Sequence, residues 1–398
     1  MSANTARAAR GSGAEDAGPS AERIADALAR AFALWRDRNY AGRRDAIAAI
    51  AHSAGYSVPM LENSIDTLLK PFTRDALKAM AGTAARSTVV RPKTVGFIAA
   101  GNVAGAGIHE VVIALICGAR VTIKTASPEP VFFAEFARTV AEIDGDVGTR
   151  IEVVHWGRAR TDLTSALVAN CELVVAYGDD ATIESLHRPH VIGFGSRVSA
   201  ALIVGGAVIP SRIDEIADML ARDVVLFEQL GCLSLHQVFV VSPDGRTPRE
   251  LAIRMSAALE RIASAMPPAR IPIRDAAEIR GVREHARWRA IAGEPVELFE
   301  GRGLEWTLVF EAKADSFKVS PGFRTVHVAG VRDFADFRDC VAGVSGRIEA
   351  MAVVGDDCEI EARAMGIPYV CAPGEMQSPP LDWRHGGGGF IDMMVGSR

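Results

Sequence analysis

Residues 94–124 read TVGFIAAGNVAGAGIHEVVIALICGARVTIK, and this stretch decides the fold. Thr94–Ala99 (TVGFIA) is a short apolar run with the length of a buried strand. Gly101–Gly107 (GNVAGAG) follows as a glycine-rich turn. Ile108–Cys117 is an apolar helical stretch, and Gly118 fits its C-terminal cap. Arg120–Lys124 (RVTIK) is a β-branched strand. Strand, turn, helix and strand in one continuous stretch make a βαβ unit, which joins parallel strands through a crossover helix.

Toward the C-terminus the alternation continues. Pro130–Ile143 and Thr161–Asn170 read as helices, Ile151–Trp156 and Glu172–Tyr177 as strands, and Phe194–Val204 as a further strand. Near-continuous apolar strands between helices predict a parallel sheet covered on both faces, a Rossmann-type α/β domain. A second α/β region follows, with a long helix over Arg212–Phe227 and a strand over His236–Val241. The Arg- and Ala-rich stretch from Ser242 to about Gly301 reads as mostly helical. Strands recur at Trp306–Phe310, Thr325–Val328 and Ala350–Val354, with helices at Asp333–Ala342 and Cys358–Met365. Toward the N-terminus, Ile24, Leu28, Phe32 and Trp35 recur at spacings of three and four, which predicts a helical layer. Residues 1–20 are poor in large apolar side chains and read as a disordered tail. With a boundary near Ala207–Ser211, at Pro210, the chain divides into 1–20, 21–206, 207–372 and 373–398.

Composition narrows the function. The 398 residues are 49% hydrophobic and 23% charged, and 44 basic against 49 acidic residues give a net charge of −5. That balance lacks the basic footprint of a general nucleic-acid binder. The longest apolar run, Ala200–Pro210, is broken by Gly205 and Gly206 and falls short of the ~20 residues a membrane span needs. The N-terminus has no apolar core, so no secretory signal is expected. Six cysteines without a CxxC pair argue against a disulfide scaffold or structural zinc, and a reduced cytoplasmic setting is expected. No HExxH or GxSxG is present, so neither a metal site nor a serine hydrolase is expected.

Two segments carry candidate chemistry. The glycines of GNVAGAG let backbone N–H groups approach a ligand, although their spacing is not GxGxxG, and the Asn102 side chain can donate into a cleft. The second segment is LFEQLGCLSLHQVF (226–239), where Cys232 follows Gly231 in a turn between a helix and an apolar strand. A turn cysteine can be accessible and have its thiolate stabilised by nearby N–H groups. Cys117, Cys171, Cys340, Cys358 and Cys371 lie in or beside apolar elements and read as inert. His109, His155, His236 and His327 sit beside apolar residues and read as satisfied, partly buried histidines.

Lys124 at a strand end, Gly178 after a later strand and Cys232 after Gln-Leu-Gly, in that order, resemble the aldehyde dehydrogenase superfamily. Within it, ALICGARVTIKTASPEPVF, VVAYGDDATI, GFGSRVSAALI, FEQLGCLSLHQVFV and GEMQSPPLDWRHGG resemble the LuxC-like acyl-CoA reductase family. The resemblance implies an aldehyde-dehydrogenase-like fold. Its cofactor domain would lie within 21–206, a catalytic domain would carry the cysteine within 207–372, and 373–398 would return to the cofactor domain. It implies that Cys232 is the nucleophile and Asn102 an oxyanion donor, with Lys124 and Ser127 at the adenosine ribose. Gly178 would lie near the pyrophosphate, with Asp179 where many relatives have serine. The glutamate with which aldehyde-oxidising relatives activate water has no counterpart in Gly193–Ser196. An acyl-cysteine would therefore survive hydrolysis. Ser127 stands where NAD-preferring relatives carry glutamate, so NADPH is favoured over NADH. Expected partners are an acyl-CoA or acyl-protein thioester donor, an acyl-transferring protein and further copies of the chain in a homo-oligomer. Acyl-phosphate reduction would need a cation near Cys232, for which Arg197 is a candidate. Glu228 is the acid nearest Cys232 in sequence and the alternative candidate base.

Overall fold

A computed structural model describes residues 18–208, 211–242 and 246–396. The expected tail over residues 1–17 and Pro210 of the expected boundary lie outside them. Ser20, assigned to that tail, is instead the N-cap of the first helix, its side chain accepting from Arg23 N.

Four helices form the N-terminal layer: α1 (Ala21–Arg36), α2 (Ala41–Ala54), α3 (Val58–Leu69) and α4 (Arg74–Arg86). Ile24, Leu28, Phe32 and Trp35 are fully buried along one face of α1, as their spacing predicts. The next elements are β1 (Thr94–Ile98), α5 (Ile108–Ile116), β2 (Arg120–Thr125), α6 (Phe132–Ile143), the single turn α7 (Gly145–Gly148), β3 (Ile151–His155), α8 (Thr161–Asn170), β4 (Leu173–Tyr177), α9 (Asp180–Ser185) and β5 (Val191–Phe194). Their strands form one parallel sheet in the order β3-β2-β1-β4-β5. The order reverses direction at β1, so a crevice opens between the carboxyl ends of β1 and β4, where such sheets bind ligands.

The second half comprises β6 (Val198–Val204), α10 (Ile213–Val225), β7 (Leu235–Val241), α11 (Arg246–Ala265), α12 (Ile273–Ile291), β8 (Val296–Glu300), β9 (Thr307–Glu311), β10 (Thr325–Val331), α13 (Phe334–Val341), β11 (Ile348–Val354), α14 (Asp356–Ala364), β12 (Tyr369–Cys371) and α15 (Gly389–Val395). The sheet runs β12-β11-β6-β7-β10-β9-β8, with only β8 antiparallel to its neighbour. Two expectations need correction. The single strand over Phe194–Val204 is two strands in two sheets, so the sheets part at Gly195–Arg197, ahead of Ala207. Asp180 makes that break by accepting from Ser196 N at 2.7 Å, a polar contact that apolar periodicity cannot reveal. The mostly helical reading to Gly301 also missed β8, an edge strand with only Val296 fully buried.

Candidate active site

Cys232 lies in the turn that leads into β7. Ser234 closes the turn, its N–H donating to Gly231 O (3.1 Å) and its Oγ accepting from Gly231 N (3.2 Å). Ser199 on β6 donates to Cys232 O at 2.7 Å, so the second sheet fixes the backbone of Cys232. The turn packs on the glycine loop, because a Cβ at Gly231 would lie 3.4 Å from Val103. Asn102 in that loop donates its amide to Leu230 O at 2.6 Å. The structure thus brings Asn102 and Cys232 together across the two sheets.

Facing Cys232 is His385, whose Nε2 lies 4.0 Å from Sγ and whose Nδ1 lies 2.8 Å from Glu110 Oε1. A carboxylate only accepts, so this contact places a proton on Nδ1 and turns Nε2 to the sulfur. Glu110 occupies the first turn of α5, where the helix dipole favours an acid, and is buried. Burial opposes charge on His385, but its contacts with Cys232 and Glu110 outweigh that and raise its pKa. Burial likewise opposes the Glu110 carboxylate, and His385 reverses the effect and holds its pKa down. Aromatic rings reinforce the charge. Trp383 and Phe194 stack on the imidazole at centroid separations of 4.2 and 3.8 Å, too close for both to share one face. An imidazolium between two π faces is favoured over a neutral ring. The arm that delivers His385 is tied at several points. Asp223 accepts from Gly374 N and Met376 N, Gln377 donates to Ser234, and His109 contacts Pro379 O at 3.0 Å.

The residues expected to hold a cofactor stand at or just beyond the carboxyl ends of β2 and β4. Lys124, the penultimate residue of β2, is half-buried and forms no ion pair among the described residues; burial lowers its pKa. Ser127 is exposed in the next loop, which is pressed on the glycine loop, since a Cβ at Gly101 would lie 2.9 Å from Ala126 and Pro128. Gly178 ends β4's exit, where a Cβ would crowd Thr182 at 3.1 Å. Asp179 caps α9 through Thr182 N at 2.7 Å, the capping role an acid can fill there. A crevice with a half-buried lysine without a carboxylate partner and close-packed glycine loops fits a dinucleotide.

Glu228 is not poised as a base. Its carboxylate receives both Nε and a terminal nitrogen of Arg324, at 2.8 and 2.7 Å, and both side chains are fully buried. Arg197 is engaged with buried Glu349 at 3.3 Å. Sequence reasoning missed His385 and Glu110. The available signal was Glu110 as the one acid inside IHEVVIALI, a helix buried on all faces. Burial raises the thiol pKa of Cys117, Cys171, Cys340, Cys358 and Cys371, in keeping with their inert reading.

Comparison with known proteins fits this geometry. The model of the acyl-CoA reductase (LuxC) family matches residues 17–395. The long-chain acyl-protein thioester reductase of Photorhabdus laumondii is 24% identical over 229 residues, covering 52% of this chain and 47% of the relative. This chain therefore matches about half the length of that relative. Among solved structures, an NAD-dependent benzaldehyde dehydrogenase from Corynebacterium glutamicum superposes with a TM-score of 0.68 at 16% identity, over 89% of this chain and 80% of that one. Succinic semialdehyde dehydrogenase from Streptococcus pyogenes, in complex with NADP+, superposes with a TM-score of 0.65 at 12% identity, over 90% and 82%. The fold is that of the aldehyde dehydrogenases, and the chain belongs to the LuxC acyl-CoA reductase family.

Proposed function

We propose that this protein reduces a long-chain acyl thioester to the aldehyde through an acyl-cysteine on Cys232, with NADPH favoured over NADH. The observation that carries this reading is the Cys232–His385–Glu110 line, which joins the turn before β7 to the helix that follows the glycine loop. Lys124, Ser127 and Gly178 would hold the dinucleotide, which would supply the hydride.

The chain's own residues do the rest. His385, kept charged by Glu110, stabilises the Cys232 thiolate that attacks the thioester carbonyl. One N–H of Asn102 is bound to Leu230 O, and its second N–H, with the backbone N–H of Cys232, supports the oxyanion. His385 then gives its proton to the departing thiolate of the donor. Solvent reprotonates it, because Glu110 holds its pKa up, and as an imidazolium it is no base for water. The acyl-enzyme therefore waits for hydride. Collapse of the reduced adduct releases the aldehyde and returns the thiolate. The Photorhabdus relative supports a long-chain acyl-protein donor by its name. Ion pairing of Arg197 with Glu349 leaves it a poor phosphate site, which disfavours acyl-phosphate reduction.

The test is a panel of acyl-CoAs of different chain length with NADPH or NADH, following cofactor absorbance. Mass spectrometry of the protein incubated with donor alone accompanies it. An adduct on Cys232, lost in Cys232→Ala, with cofactor oxidation on addition of NADPH, is expected. An adduct on another cysteine overturns the nucleophile, and acylation without cofactor oxidation makes the protein an acyl carrier.

A further inference from the structure

Immediately before Cys232 the backbone does something unusual. Phe227, Glu228 and Gln229 take left-handed φ values of 52°, 53° and 61°, with no glycine among them. Opposite them, Phe323 and Arg324 do the same at 49° and 60°. Single left-handed residues that are not glycine are uncommon, and two facing runs persist only where the surroundings over-determine them.

The surroundings here are a buried polar latch. Glu228 is bound bidentately by Arg324 and also accepts from Ala269 N at 3.0 Å. The Glu228 carbonyl accepts from Phe323 N at 2.8 Å, which joins the two runs. Gln229 uses its whole amide. Nε2 donates to Leu235 O (2.6 Å) and Thr325 O (2.7 Å), and Oε1 accepts from Thr325 N (2.7 Å) and Ser320 Oγ (3.0 Å). Leu235 begins β7 and Gln229 ends the left-handed run, so one side chain clamps both ends of the turn that holds Cys232. Leu230 O, the acceptor for Asn102, lies inside the clamp.

We propose that Gln229 is the positioning residue of the nucleophile: its four-bond clamp, backed by the Glu228–Arg324 pair, holds the turn so that Cys232 Sγ faces His385. It touches neither substrate nor the reacting atoms and acts through the backbone of residues 230–235. This rests on the thiolate–imidazolium reading above.

The test is the pH profile of Cys232 alkylation by iodoacetamide, measured on the full chain with thermal melting alongside, and kcat and KM with acyl-CoA. Gln229→Leu keeps the volume and removes all four bonds. It is expected to move the alkylation midpoint up by at least one pH unit and to lower kcat about thirtyfold, with KM changed less than threefold. Ser320→Ala removes one bond to Oε1, together with the bond Ser320 Oγ accepts from Gly322 N, and is expected to shift the midpoint in the same direction by a few tenths. If Gln229→Leu does not fold, Ser320→Ala decides. A wild-type profile in the folded variants, with only the melting temperature lowered, overturns the proposal. His385→Gln separates the two readings: if it leaves the wild-type profile unmoved, the thiolate–imidazolium pair is wrong whatever the clamp does.

Discussion

The two loops that meet at the candidate site solve the same backbone problem in opposite ways. The glycine loop needs left-handed backbone at Gly105 (φ 78°) and Gly107 (φ 90°) and uses residues that adopt it at no steric cost. The turn before Cys232 needs it at Phe227, Glu228 and Gln229, each costing ~1–2 kcal/mol. It offsets that cost with buried hydrogen bonds from Gln229 and the Glu228–Arg324 pair. Glycine also lets neighbours close in: at Gly107 a Cβ would lie 2.9 Å from the Tyr177 ring. The latched turn gains something glycine cannot supply, a side chain at each position. On the proposed function, the comparison separates a loop open to ligand approach from one that aims Cys232.

The two loops communicate through His385, since Glu110 hangs from the helix behind the glycine loop and Cys232 from the latched turn. His385→Gln should slow acylation by about 10²–10⁴, the range for loss of a positioned acid–base group. It should also leave Cys232 behaving as an isolated thiol, with the rate climbing to a plateau above about pH 8.5. Stopped-flow release of the donor thiol against pH measures both. Glu110→Gln should mimic it in part and adds a stability test. The Glu110 pKa is depressed, so its contribution is full above the unfolded value of about 4.3 and fades as pH falls toward the folded value. The His385 pKa is raised, so its contribution is full below about 6.5 and fades as pH rises through the folded value. The melting temperature gap between wild type and Glu110→Gln should peak between about pH 5 and 6.5 and narrow on both sides. A gap that is flat with pH would mean the pair is not ionic.

A pair of substitutions tests the comparison itself. Gly107→Ala forces a Cβ into left-handed backbone and against Tyr177, and should destabilise by about 3 kcal/mol. Gln229→Gly relieves left-handed strain by about 1 kcal/mol but strands four buried partners, and should also destabilise, by about 3 kcal/mol. Denaturant midpoints for both decide it. If Gln229→Gly is neutral or stabilising, the amide does not offset the strain and the two loops differ less than their geometry implies.

The same contrast explains what the sequence could and could not disclose. Glycine spacing, strand length and helix periodicity are local, so TVGFIA, GNVAGAG and RVTIK predict β1, the loop and β2 to within a residue or two. Cys232 and Asn102 were readable as candidates because each puts a reactive or donating group in a glycine-containing turn, and the family resemblance supplied their roles. The latch was not, because Gln229 meets Thr325 across 96 residues and nothing in FEQLG announces left-handed backbone. His385 was hidden for the same reason: its partners Cys232 and Glu110 lie 153 and 275 residues away. Glu228 was only the alternative base, by nearness in sequence to Cys232, and the structure pairs it with Arg324, a partner 96 residues away that the sequence could not name.

The smallest effect belongs to the loop after β2 and tests whether the glycine side of the site is the cofactor side. Ser127 is exposed in the loop whose neighbours Ala126 and Pro128 press on Gly101, and Lys124 lies three residues earlier at the end of β2. If the adenosine ribose lies there, Ser127→Glu places a carboxylate where it can accept from ribose hydroxyls and repel a 2′-phosphate. Exposure keeps the effective dielectric high, so the repulsion is about 1–2 kcal/mol. That is about a tenfold fall in the ratio of kcat/KM for NADPH to that for NADH. Stability should not change, because Ser127 is exposed. Neither should Cys232 acylation without cofactor, since the substitution lies on the other loop. A tenfold shift with acylation intact keeps the two loops in separate roles. An unchanged ratio removes Ser127 from the ribose and leaves Lys124 as the only proposed side-chain contact there. A shift accompanied by slower acylation would show that the glycine side also aims the nucleophile, and that the division of labour between the loops is wrong.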